Sequence, residues 1–339
     1  MLNSQFEEHA EKLVAFRTTQ NNSRLFFIDI AKGIGIILVI CSHVYSPLMY
    51  WANPCYIPLF FVVSGYCTIR PIILKKKFKK LIIPYVLFTF ILLAINFDYK
   101  PVNLLGAIYS RWCLFPYGTD GNIYFLRSGN GPLWFLTSMF SSFCLYKYIN
   151  KFDNVLIYLL LCIVLTYALS FLPILLPWSL DTMFLMTIFI FAGSYIRQSD
   201  ILYKTSMLQL SILIIIYIIS VFQCGWVNLS VRVYGNSLLY LLIGAIIGSF
   251  ILIKLSMLIE RYLSLVGGLL SALGNQSLSI FCIHIPFISI WEKAISNIPT
   301  ISPLIHGAFT VILVILTTYP LAIFFNKRIL RYIYSRFEL

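Results

Sequence analysis

Charge is what this chain lacks. Only 11% of its 339 residues are Asp, Glu, Lys or Arg, and 60% are hydrophobic. Soluble domains carry about 25% charged residues, so an ordinary soluble globule is excluded. Acids are scarcer than bases, leaving a net charge of +13. A nucleic-acid partner is not implied, because the bases sit in short segments between apolar runs, the pattern of membrane topology. Cysteine occurs eight times but never as CxxC or at zinc spacing, which argues against a disulfide frame or a metal site. Most of these cysteines read as small apolar residues within helices. The short alternating segments of an outer-membrane barrel are missing too. So is a cleavable signal peptide, since residues 1–23 are polar and mixed in charge.

What is present is one apolar run after another, each near spanning length. The expected fold is an all-α membrane bundle of about ten helices, at roughly 25–45, 53–70, 80–97, 131–149, 154–172, 182–197, 206–224, 236–255, 270–292 and 303–325. With the N-terminus inside, nineteen Lys and Arg fall in inner segments, five in outer ones, and Lys32 alone lies within a span. That asymmetry follows the positive-inside rule and predicts both termini in the cytoplasm. A cytoplasmic segment (1–23), one membrane domain (24–326) and a basic cytoplasmic tail (327–339) account for the chain, with no tandem repeat or appended soluble domain. A multi-pass protein of the plasma (inner) membrane is expected. Its longest outer connection, about 98–130, mixes Trp112, Tyr109, Tyr117 and Tyr124 with Asp98 and Asp120. Such a surface suits sugar faces and hydroxyls, and an interfacial aromatic belt explains it equally.

The chain is organised around Arg24–His43, RLFFIDIAKGIGIILVICSH. At about 100° per residue, Lys32 and His43 fall within roughly 20° of one helical face, about 16 Å apart along the axis. Asp29 lies on the same face, about 40° from His43. Each ionisable group costs about 2.5 kcal/mol or more at mid-bilayer, so three on one stripe mark a functional-site candidate. Asp29 is too far along the axis to orient His43 and is expected to pair with Lys32, its i+3 neighbour. A neutral imidazole suits proton abstraction from a hydroxyl, making His43 the candidate general base.

Further patterns follow in order: IPLFFVVSGY at Ile57–Tyr66, with Arg70 and the KKKFKKLIIPY run to Tyr85; GPLWFL at Gly131–Leu136; PWSLDTMFLMTIFIFAG at Pro177–Gly193; and LGNQSLSIFCIH at Leu273–His284. Together with the first span they resemble the integral-membrane acyltransferase-3 family, in particular its fucose 4-O-acetylase-like branch, over residues 24–325. Two departures stand out. Lys32 fills the place where many members carry Arg ten residues before the His, keeping the charge without the guanidinium fork. Tyr56 stands where that branch commonly has His.

The resemblance implies O-acetylation of a surface or lipid-linked carbohydrate, with cytoplasmic acetyl-CoA as donor substrate and no permanently bound cofactor or metal. The implied catalytic set is His43, Lys32 and Asp29. Arg70, Ser64, Lys75 and Lys76 are candidates for holding CoA, although inner-leaflet lipid explains the lysine run and helix packing explains Ser64–Gly65. Trp134, Asp181 and His284 are candidates for the acceptor; an interfacial belt, helix capping and a buried structural histidine compete for them. Asn275, Gln276 and Ser277 read as a cap before the ninth span. Partners are thus acetyl-CoA, a glycan or lipid-linked oligosaccharide and the bilayer, with the oligomeric state left open. The rival class is a membrane transporter or polysaccharide exporter, since buried charges also line substrate paths.

Overall fold

A computed structural model describes residues 25–68, 70–95, 100–116, 118–125, 131–295 and 302–336. The expected N-terminal segment 1–23, with Asp98 and Tyr117, lies outside them. Apolar runs become helices throughout: α1 (Phe26–Cys41), α2 (Leu48–Ala52), α3 (Pro58–Tyr66), α4 (Leu74–Ile95), α5 (Pro101–Tyr109), α6 (Trp134–Ile149), α7 (Val155–Ser170), α8 (Met183–Gln198), α9 (Met207–Cys224), α10 (Leu238–Tyr262), α11 (Ser264–Ile295) and α12 (Pro303–Phe324). Among the described residues the named strands are one short antiparallel hairpin, Val227–Asn228 with Val233–Tyr234. The protein is an all-α membrane protein, and among the described residues six helices are long and apolar enough to cross a bilayer: α4, α8 with its leading turn, α9, α10, α11 and α12 with its continuation.

The other expected spans are shorter. α1, α6 and α7 have 16 residues each, and α3 has nine. The expected 53–70 span breaks at its start, where Pro54 and Pro58 interrupt the chain between α2 and α3. Proline lacks the N–H that a continuous helix would need there. Irregular backbone at membrane depth is tolerated where it is covered by protein or lines a cavity, and Asn53, Tyr56 and Ile57 do line one. The expected cap at Asn275–Ser277 is also corrected, because α11 runs unbroken from Ser264. Gln276 instead accepts a hydrogen bond from Asn326, and Ser279 donates to Asn326 at 2.7 Å. Asn326 sits in the π-helical turn (Phe325–Leu330) that continues α12.

Close helix crossings hold the charged stripe in the interior. α1 packs along α11, and a Cβ on Gly33 would run into the carbonyl of Leu270, one on Gly274 into the carbonyl of Asp29. The backbones therefore touch, as small residues permit in membrane helix pairs. α3 and α8 cross in the same way, with Gly65 on the Ile190 carbonyl and Gly193 on that of Val62. Packing is thus what Gly65 serves. Loops at one end interlock: the Leu175 N–H donates to the Leu114 carbonyl at 2.8 Å, Arg111 to that of Ser230 at 2.6 Å, and Arg232 to those of Leu172 and Ile174. The opposite end carries the 70–80 lysines.

Candidate active site

α1 ends at Cys41, and His43 follows in a tight turn, its backbone N–H donating to the Ile40 carbonyl at 3.1 Å. This sets the imidazole on the lining of a cavity of about 930 Å³. Beside it, Ser42 donates to the Val39 carbonyl at 2.7 Å, and the Tyr56 phenol is hydrogen-bonded to Ser42. Trp134, Phe281 and Ile285 contribute apolar wall. Asn53, Asn228 and Ser230 also line it, with Trp112 and Tyr124 stacked at 5.8 Å between centroids. Flat aromatic faces beside amides and hydroxyls form an environment for a hydroxylated, partly apolar molecule.

Polar lining residues are held from behind. Asn53 donates to the Gly225 carbonyl at 3.2 Å, Trp112 Nε1 to Ser230 Oγ at 3.3 Å, and Ser230 Oγ to Asn228 Oδ1 at 2.6 Å. Deeper lies a clamp on Asp181. Its Oδ1 accepts from Arg111, and its Oδ2 lies 3.4 Å from Arg232 Nε and accepts the Leu176 N–H at 3.1 Å. Arg111 also donates to the carbonyls of Leu176 at 3.0 Å and Ser230 at 2.6 Å, while Arg232 reaches those of Leu169, Leu172 and Ile174. Burial pushes the Arg111 guanidinium below its ordinary value, and the Asp181 carboxylate pulls it back up. The Tyr234 phenol is pushed up, first by burial and then by the Asp181 charge.

The sequence-predicted residues fall into four groups. His43 and Trp134 face the cavity. His284 is fully buried one layer behind that wall, its ring 5.2 Å from that of His43 and 5.7 Å from that of Phe281. Asp181 belongs to the clamp and neither lines the cavity nor caps α8, whose N-cap is Thr182. The remaining candidates lie towards the lysine-bearing end. Lys32 Nζ is 2.6 Å from Asp29 Oδ1, the i,i+3 pair that the spacing predicts, with Asp29 buried and Lys32 partly open. Lys32, Lys77, Asp29 and Arg197 act electrostatically on the exposed Cys67 just after α3. Arg70, Lys75 and Lys76 are exposed nearby in sequence, and Ser64 donates to Met139 Sδ at 3.6 Å.

Sequence reasoning missed several of these residues. Lys77 packs its ammonium 3.5 Å from the Phe143 ring centroid, and Arg197 donates to the Tyr66 hydroxyl at 3.2 Å. In the sequence Lys77 is one of the basic run that is a candidate dock for CoA phosphates, whereas Arg197 counts only towards topology. Arg111 and Arg232 belong to the five outer bases, and bases on the less basic side are the ones that need a local reason. Among the described residues no cluster of three or more His, Cys, Asp or Glu suits a metal ion.

A family model described as an acyltransferase domain matches residues 25–323. No curated protein and no solved structure matches the chain.

Proposed function

The chain belongs to the acyltransferase-3 family, and from that premise we propose that it is a plasma-membrane O-acetyltransferase, of the fucose 4-O-acetylase-like kind, which moves acetyl from cytoplasmic acetyl-CoA to a carbohydrate hydroxyl. The observation that carries this reading is the position of His43 in the lining of a roomy cavity that Trp112, Tyr124, Trp134, Asn228 and Ser230 also line. The acceptor, a surface glycan or a lipid-linked oligosaccharide, lies against those side chains. Its hydroxyl oxygen attacks the thioester carbonyl, the new O–C bond forms and the C–S bond breaks. His43 takes the hydroxyl proton and returns it to the departing CoA thiolate. Asp181 serves the acceptor through the clamp that fixes Ser230 rather than by touching the sugar.

At the other end, Lys32 with Lys77 and Arg197 forms the cationic ground for the phosphates of CoA, flanked by Arg70, Lys75, Lys76 and Ser64. Asp29 tempers Lys32 and lowers the cost of burying it. Ten crossings with both termini in the cytoplasm put this cluster inside and the cavity outside, so that acetyl is passed across the bilayer.

The test uses purified protein with radiolabelled acetyl-CoA and a panel of glycans, wild type beside His43→Ala. Transfer by the wild type that drops at least about 100-fold in the variant supports the reading. Undiminished transfer in the variant removes His43 as base. No transfer to any glycan, together with net sugar flux in vesicles, replaces the enzyme with a transporter.

A further inference from the structure

His284 is unusual among the buried groups. Its side chain has no exposure, its Nδ1 lies 2.7 Å from the Phe281 carbonyl, and its Nε2 has no hydrogen-bond partner. A carbonyl can only accept, so Nδ1 carries the proton and the neutral ring presents a bare lone pair at Nε2. Leaving a buried acceptor unsatisfied costs about 1–3 kcal/mol. A histidine placed only to fill space would not need that nitrogen.

Two rings that line the cavity touch His284, those of Phe281 and His43, and only His43 has an N–H to offer; it lies 5.2 Å away between centroids and is tilted by 51°. An in-line N–H···N bond of about 2.9 Å between two imidazoles places their centroids about 5.2 Å apart. The separation is therefore already that of a bonded pair, and turning the His43 ring supplies the alignment. Catalytic hydrogen bonds commonly tighten in this way once substrate is bound. Among the described residues the buried carboxylates are committed elsewhere, Asp29 to Lys32 and Asp181 to the two arginines, and neither serves His43 as the carboxylate of a hydrolase triad serves its histidine.

We propose that His284 is the positioning partner of His43: its Nε2 accepts the N–H of the His43 ring, which leaves the other His43 nitrogen bare towards the cavity to receive the acceptor proton. This rests on His43 being the general base. The Phe281 carbonyl fixes His284, His284 fixes His43, and the positive ring formed during transfer keeps a hydrogen-bond acceptor at its back. An uncharged orienter has an advantage here, since it leaves no unpaired charge in the apolar interior between turnovers.

Two variants separate this role from packing. His284→Phe keeps a ring and removes the acceptor, whereas His284→Gln keeps an acceptor near the Nε2 position. With radiolabelled acetyl-CoA and a panel of methyl glycosides, kcat should fall about 100-fold in His284→Phe while KM for acetyl-CoA stays within about twofold, and His284→Gln should regain most of the loss. Nitrogen-15 NMR of histidine-labelled protein in nanodiscs should show one fixed His43 tautomer in the wild type and a mixture in His284→Phe. Wild-type kcat in His284→Phe, equal losses in both variants, or a mixed His43 tautomer in the wild type would each overturn the proposal. Should His284→Phe not fold, the wild-type tautomer and the His284→Gln kinetics decide. An inactive His43→Ala beside an unaffected His284→Phe sinks this inference and spares the base; an active His43→Ala sinks the base.

Discussion

Arg111 donates to Asp181 with neither side chain exposed to solvent. This contact ties the segment after α5 to the turn before α8, and through the Ser230 carbonyl it reaches the hairpin that lines the cavity. Removing one partner of a buried ion pair costs about 3–5 kcal/mol, because the other charge is left uncompensated. Arg232 would still hold three carbonyls after loss of Asp181, so the damage falls mainly on Arg111. Asp181→Ala should therefore lower the detergent-solubilised Tm strongly, and Asp181→Asn less. A Tm unchanged in Asp181→Ala would mean that the loops are held by something else.

The α1–α11 crossing gives a sharper contrast within a single helix. A Cβ at Gly274 meets the Asp29 carbonyl, whereas one at Gly268 meets nothing within 4 Å. Gly274→Val should force α1 and α11 apart and destabilise by about 1–3 kcal/mol or more. Gly268→Ala should be neutral or stabilising, by up to about 1 kcal/mol from helix propensity alone. Thermal unfolding of both variants checks this, and equal behaviour would contradict the close crossing.

Composition and periodicity made the membrane class and most helix positions legible, since burial in lipid demands long apolar runs. The Asp29–Lys32 pair was legible for a related reason: both lie on one helix, where three residues fix their geometry. The contact between His43 and His284 was not, because it depends on how α1 and α11 pack, and those helices come from opposite ends of the chain. Nor was the Asp181 clamp, whose arginines sit in two loops and gain meaning only once the loops interlock. Likewise Gln276 looks like a cap until its partner Asn326 is brought beside it by α12.

Lys32 stands at the junction of the two halves of the proposed site. Its ammonium is paired with Asp29 yet remains partly open, and together with Lys77 and Arg197 it acts on the thiol of Cys67. Lys32→Met should leave insertion intact while raising the KM for acetyl-CoA or lowering turnover, and Lys32→Arg should retain most activity because the charge persists. Asp29→Asn should affect stability more than Lys32→Met does, since Asp29 is the buried member. Steady-state kinetics with Tm measurements separate these effects. Wild-type kinetics in Lys32→Met would leave the lysine a structural partner of Asp29.

Trp112 tests the acceptor side of the cavity. Its ring is stacked with Tyr124 at 5.8 Å and 24° between planes, and its N–H is anchored on Ser230 Oγ. The aromatic face is thereby held rigid against the space where a sugar would lie, so binding loses little entropy in ordering it. Aromatic contacts of this kind contribute about 0.5–1.5 kcal/mol beyond buried area, which corresponds to a KM change of roughly 2- to 12-fold. Trp112→Ala should raise the KM for the glycan by about that factor and leave the KM for acetyl-CoA unchanged. Trp112→Phe, which keeps a flat face without the N–H anchor, should fall between them. A glycan KM untouched by Trp112→Ala would place the acceptor elsewhere in the cavity, against Trp134 and Tyr56.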